Sequence, residues 1–198
     1  MKSRKPYHHG NLQEALLRAA IGLIGEVGPM AFTLREVARR AGVSHNAPYR
    51  HFRDKEDLIT AVAEEGYREL NSLMLAAAGK HPRALNRLKY AGLAYIEFAL
   101  RRPEHFAVMF DAPLSEKRHV EVIGPAKEAF STLMALVKNA QEEGDLVSGD
   151  SGGFALLAWT MVHGVAKLAI TGRLPYRTKA DIMKFASFVI DQSLPTRR

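Results

Sequence analysis

Apolar residues recur at three- and four-residue spacing along most of the chain and nowhere alternate strictly, which predicts helices and no sheet. Over 11–27 the stripe is Leu12, Ala15, Leu16, Ala19, Leu23 and Val27. Asn11 is placed to cap it, with Glu14 three residues on, and Gly28-Pro29 ends it. A short helix follows Thr33, with Glu36 completing a capping box and Leu34, Val37 and Ala38 on one face. Gly42 suits a tight reversal, and Ser44 is placed to cap a second short helix carrying His45, Asn46, Tyr49, Arg50 and His51. Asp54 then opens a long helix reaching about Gly79 through Leu58, Ile59, Val62, Tyr67, Leu70 and Met74, with Gly66 as a weak point inside it. Further helices are expected over 83–100, 104–110, 117–143 (kinked or split by Pro125), 153–172 and, capped by Thr178, on to about Ser193. The expected fold is all-α with about nine helices.

The pair of short helices around Gly42 sets the organisation. A helix, a glycine turn and a second helix with polar side chains form a helix-turn-helix, whose second helix enters a DNA groove. Two such short helices bury too little by themselves, so the 11–27 helix is the expected third support. Residues 1–10 then read as a basic arm, 11–56 as a three-helix DNA-binding domain, and 57–198 as a helical ligand-binding and dimerisation domain. The long helix after Asp54 joins the last two.

Charge distribution agrees with this division. The formal net charge is +7, but nine Lys/Arg against three Glu up to Arg53 give +6 there, and nineteen against eighteen give +1 in the remainder. A basic head on a near-neutral body suits phosphate binding. The chain has no cysteine, which removes disulfides, thiolate metal sites and thiol nucleophiles. Adjacent His8 and His9 diverge and form no metal site by themselves. The basic start leads into no apolar leader, and the most apolar stretch, 154–170, is interrupted by His163 and Lys167. A buried helix is therefore expected rather than a membrane span, and a bacterial cytoplasmic, nucleoid-associated location. An enzyme would need a nucleophile and base or a set of metal ligands. There is no H-x-x-x-H, no glycine-rich phosphate loop and no carboxylate pair flanked by histidine, so no enzymatic activity, cofactor or metal is expected.

The run T-L-R-E-V-A-R-R-A-G-V-S-H-N-A-P-Y-R-H-F-R-D-K-E-D-L, from Thr33 to Leu58, resembles the DNA-binding signature of the TetR family of bacterial transcriptional regulators. The Y-H-H-G-x-L start and Trp159 followed by His163-Gly164 resemble one subgroup of it. The resemblance implies a homodimer on a palindromic double-stranded operator, most often a repressor released by a small molecule; an activator of the same fold is the alternative. By position it implies phosphate contacts from Thr33, Ser44, Tyr49, His51 and Lys55, and base contacts from Arg35, His45 and Asn46. The chemistry agrees: hydroxyls and ammonium groups fix register on phosphates, Asn pairs bidentately with an adenine edge and Arg with a guanine. Pro48 departs from the family, where Leu is common, and removes an amide just past the first turn of the second helix.

In the body, Tyr95, Phe98, His105, Phe106, Met109, Phe110, Trp159 and His163 are the candidate lining of an apolar pocket. No acid in the same segments pairs with either histidine, so a hydrophobic or neutral effector is expected. Phe154, Leu157, Ala158, Met161, Val165 and Leu168, with Phe185, Phe188 and Val189, give the last two helices a wide apolar surface suited to a two-fold four-helix interface. Ala155, Ala158, Ala166 and Ala169 are the small residues expected to allow close approach there.

Overall fold

The computed structural model describes residues 9–196. The expected arm lies outside the described residues, save for His9 and Gly10. Eight α-helices account for most of the chain: α1 His9–Val27, α2 Leu34–Arg40, α3 Lys55–Ala78, α4 Ala84–Arg101, α5 Pro103–Asp111, α6 Glu116–Glu142, α7 Ser151–Ile170 and α8 Lys179–Ser193. A single 3-10 turn, Pro48–Arg50, lies between α2 and α3. Among the described residues there is no strand, only an isolated antiparallel bridge between Leu146 and Thr196.

Local chemistry accounts for most helix starts. Thr33 closes a capping box on α2: its hydroxyl accepts from the Glu36 amide at 3.3 Å while the Glu36 carboxylate accepts from the Thr33 amide at 2.7 Å. Asp54, Asp150 and Thr178 accept from the Asp57, Gly152 and Asp181 amides and cap α3, α7 and α8. Helix α1 begins at His9, so Asn11 stands inside its first turn rather than at its cap. Pro125 neither splits nor ends α6, which runs through it. The carbonyl that Pro125 cannot serve belongs to Glu121, an exposed residue, so the missing amide falls on the solvent side of the helix.

The second short helix is absent. Gly42 makes the expected reversal at φ +69°, with the Val43 amide returning to the Ala38 carbonyl at 3.0 Å. Beyond it the chain forms turns: the Ala47 amide reaches Ser44 O and the Arg50 amide reaches Ala47 O, both three-residue steps. Pro48 explains this. It has no N–H to give the Ser44 carbonyl, and its ring crowds the preceding turn. The 3-10 turn has no side-chain cap, so the expected cap by Ser44 does not form.

The head is built on α1, α2, the 3-10 turn and the start of α3. Leu16, Ala20 and Ile24 of α1 meet Phe32, Val37, Phe52, Leu58 and Val62 in its core. The α1 stripe is thus rotated from the expected one: Ile24 is buried and Val27 lies exposed at the helix end. In the body α4 is central and touches α3, α5, α6, α7 and α8. Helix α3 belongs to both halves, contacting α1 at one end and α4, α5 and α6 along its length. Gly66 in α3 is a point of close approach rather than weakness: a Cβ there would meet Met109 Sδ at 2.6 Å and His105 Cβ at 3.3 Å.

Candidate nucleic-acid interface and cavity

The turn region presents the predicted contact residues to solvent. Arg35 on α2 and Ser44, His45 and Asn46 after the reversal are exposed, and Tyr49 is 53% exposed despite its large ring. Arg35 makes no ion pair among the described residues. Beneath them Ala47, Pro48 and Phe52 are buried, so Pro48 fills a core position while shaping the turn above it. His51 is half-buried against the Phe52 ring. Thr33 is exposed, with its hydroxyl engaged in the capping box. Lys55 is held by the head itself: Nζ donates to Met30 O at 2.7 Å and lies over the Phe32 ring. The other seven predicted side chains are exposed or partly so, Thr33 with its hydroxyl in the cap, whereas Lys55 also fastens the 28–33 loop. Arg50, exposed beside Tyr49 and without an ion pair among the described residues, belongs with them; the sequence put it on the same rod without assigning it a contact. Not all the basic residues are free: Arg40 is paired with Glu26 through two contacts of 2.6 Å.

The body encloses a cavity of about 480 Å³ between α3, α4, α5, α6, α7 and α8. Of the predicted lining, Tyr95, Met109, Phe110 and Trp159 border it. Phe98, His105, Phe106 and His163 do not. Phe98 and Phe106 are fully buried in the packing between helices, and His105 is buried against α3. His163 sits behind the wall, 2.8 Å from the Tyr95 hydroxyl and stacked on Phe106. The sequence reading missed the contribution of α6, where Ile123, Ala126, Lys127, Phe130 and Leu133 form one wall. Their three- and four-residue spacing was the available signal; the aromatic residues elsewhere drew the assignment away from it.

The polar atoms of the walls satisfy one another. Trp159 Nε1 donates to the Tyr95 oxygen at 3.3 Å, which leaves the Tyr95 hydroxyl proton for His163 Nδ1. With Tyr95 as the donor, His163 accepts at Nδ1 as the neutral Nε2–H tautomer. Burial depresses the His163 pKa, and Lys167 lowers it further against the opposing pull of Asp111. Tyr67 donates to Met109 O at 3.1 Å, and burial raises its pKa to about 12. His105 does have an acid partner, on another helix: Glu65 Oε1 of α3 lies 3.4 Å from its Nε2. Its buried Nδ1 has no partner.

Several contacts join cavity and head. Helix α5 carries Met109 and Phe110 at the cavity, and at its other end Glu104 lies against Gly25 of α1, where a Cβ would meet its carboxylate at 3.1 Å. From α6, Arg118 is buried and reaches Asp57 at 2.7 Å, Glu121 at 2.8 Å and Asp54 at 3.4 Å. The Ser115 amide donates to Glu56. Burial works to raise the Asp57 pKa and is outweighed by the Arg53 amide and guanidinium and by Arg118, leaving it lowered. The start of α3 is thereby clamped to the α5–α6 junction beside the turn region.

On α7 and α8, Leu157, Leu168 and Phe188 are exposed, as is Leu156. Ala155, Ala158 and Ala166 are not part of this surface. They are buried on the side of α7 facing its own body, where α4 approaches closely at Gly92. The outer face instead carries Gly153 and Gly164, and a Cβ on Gly164 would meet nothing within 4 Å. By length and composition α7 is apolar enough to cross a membrane, with 28% of its most apolar window buried.

A capped helix, a glycine reversal and a polar, exposed turn on a three-helix core define a helix-turn-helix regulator head, joined here to a helical body with a cavity. Residues 16–62 match the family model described as bacterial regulatory proteins, tetR family, and residues 88–192 match tetracyclin repressor-like, C-terminal domain. The chain belongs to the TetR family, whose members are transcription regulators rather than enzymes. It is similar to the HTH-type transcriptional repressor BepR of Brucella suis, with 32% identity over 145 residues and 69% of each chain covered. It is also similar to an HTH-type transcriptional repressor of Mycobacterium tuberculosis, 29% identical over 120 residues, 56% of this chain and 63% of that relative. Among solved structures, a protein of unknown function from Rhodococcus sp. RHA1 superposes with a TM-score of 0.83 at 33% identity, covering 97% of this chain and all of that one. A tetR-family regulatory protein from Rhodococcus RHA1 superposes at 0.76 with 21% identity over 92% of this chain and 94% of that one, a likeness of fold.

Proposed function

We propose that this protein is a homodimeric, DNA-binding transcriptional repressor of the bacterial cytoplasm, released from a palindromic operator by a small effector with a largely hydrophobic body. The observation that carries this is continuity: α3 runs unbroken from the turn that displays His45, Asn46 and Tyr49 to the walls of the cavity, which include Tyr67, Leu70 and Met74. A ligand that favours one setting of α3 over the other changes how the turn meets DNA, by as much as its affinities for the two settings differ. Thr33, Ser44, Tyr49, His51 and Lys55 hold phosphates in this reading, and Arg35, His45 and Asn46 face base edges. The apolar outer surface of α7 and α8 is covered by a second copy rather than by lipid, because α7 is packed on its other side against α4, α6 and α8 of its own body. The dimer presents two turns to half-sites about one helical turn, or a multiple of it, apart.

The test is a binding assay on a footprinted operator and on single-base variants of it. Asn46→Ala relaxes preference at one base of each half-site. Tyr49→Phe and Lys55→Ala weaken all sequences alike, and Lys55→Ala also flattens the salt dependence. Binding that is independent of salt, or the reverse assignment of these effects, overturns the reading. A footprint over a promoter implies repression; one upstream of it, with lost transcription on deletion, implies an activator.

A further inference from the structure

We propose that the effector cavity takes an amphipathic anion: an apolar body with one anionic head group held by Lys127. The inference rests on reading the cavity as the effector site and names the class of ligand. Lys127 is the one charged residue among the side chains that border the cavity. It is exposed as well as lining, so its side chain stands where the cavity meets solvent and its ammonium can reach a head group at the rim. Among the described residues no acid neutralises it. The positions three and four residues away on α6 are Ile123, Gly124, Phe130 and Ser131, and among the described residues Lys127 makes no hydrogen bond or ion pair.

The interior offers a ligand no comparable group. The indole N–H of Trp159 is committed to Tyr95, the Tyr95 proton to His163 and the Tyr67 proton to Met109 O. A polar head placed deep in the cavity would lose its water without gaining a donor, which costs more for an ion than for any neutral group. A ligand therefore gains most with its apolar part against Leu70, Met74, Leu88, Phe130 and Val162 and its head at the rim. There an anion finds an uncompensated cation, a neutral head finds only water, and a cationic head is repelled. The electrostatic gain is modest because the rim is wet, so Lys127 selects the head group while the walls supply most of the affinity.

The chain has one tryptophan, Trp159, and it borders the cavity, so its emission reports occupancy directly. The neutral dye N-phenylnaphthylamine, bound to the full-length protein, is displaced by submicellar decanoic acid, decanol and decylamine at neutral pH while Trp159 emission is followed. Decanoate is expected to bind about three- to ten-fold more tightly than decanol, and decylamine more weakly than either. Lys127→Met brings decanoate to the level of decanol and leaves decanol unchanged; Lys127→Arg preserves the preference. The exposed position of Lys127 leaves both variants folded, and a melting curve checks this. Decanol binding as well as decanoate, or a decanoate preference that survives Lys127→Met, overturns the head-group assignment while leaving the cavity as a ligand site. If neither the dye nor any of the three amphiphiles perturbs Trp159, the cavity is not a ligand site and both readings fall.

Discussion

Arg118→Ala tests the clamp between head and body. Arg118 is 5% exposed and its guanidinium meets three carboxylates at 2.7–3.4 Å. Deleting one partner of a fully buried ion pair costs about 3–5 kcal/mol, because a charge is left without compensation. Here the carboxylates keep contact with water: the Asp54, Asp57 and Glu121 side chains are 57%, 20% and 34% exposed. Screening reduces the expected cost to about 1–2 kcal/mol. In a chain of this length that lowers the midpoint of thermal unfolding by roughly 2–8 °C. The remaining carboxylates repel one another, so raised ionic strength recovers part of the loss. Arg118→Lys keeps the charge but loses the fork, and falls in between. The assay is thermal melting by circular dichroism at fixed protein concentration, at low and at molar salt, alongside operator affinity. An unchanged midpoint, or a loss that salt does not reduce, refutes the electrostatic clamp; unchanged operator affinity refutes its part in setting the head.

Pro48→Ala restores the missing amide and extends the 3-10 turn toward a regular helix; operator preference, read by selection from a randomised half-site, shifts at the bases facing His45 and Asn46, and an unchanged preference refutes the role given to Pro48. Phe188→Glu places a charge on the most exposed large apolar side chain of α8, and sedimentation is expected to show monomer where the parent is dimeric. His163 has a folded pKa below its ordinary 6.5, so the unfolded chain takes up its proton first. Stability is then full above about pH 6.5 and falls as pH drops through that value toward the folded pKa; His163→Asn removes this part of the slope, and an identical slope in parent and variant by urea unfolding refutes it.

Local chemistry alone determined much of this protein. Thr33 with Glu36, Gly42, Asp54 and Thr178 mark their helix boundaries through hydrogen bonds and dihedral preferences that involve only near neighbours, and the all-helical class follows from apolar spacing. The exposure of the turn residues was legible for the same reason: polar side chains on a short segment beside a tight reversal have little core to enter. Packing decided the rest. The second short helix is lost at Pro48, which has no amide for the Ser44 carbonyl and is buried beneath the turn it shapes. Which face of α7 turns inward is set by the approach of α4 at Gly92, so Ala155, Ala158 and Ala166 were assigned to the wrong side. The Tyr95–His163 bond and the Arg118–Asp57 contact join residues 68 and 61 positions apart, the α6 wall faces other helices, and periodicity along one helix carries no information about which distant face it meets. Helix positions are a property of the chain; the cavity and the coupling to the turn exist only between helices.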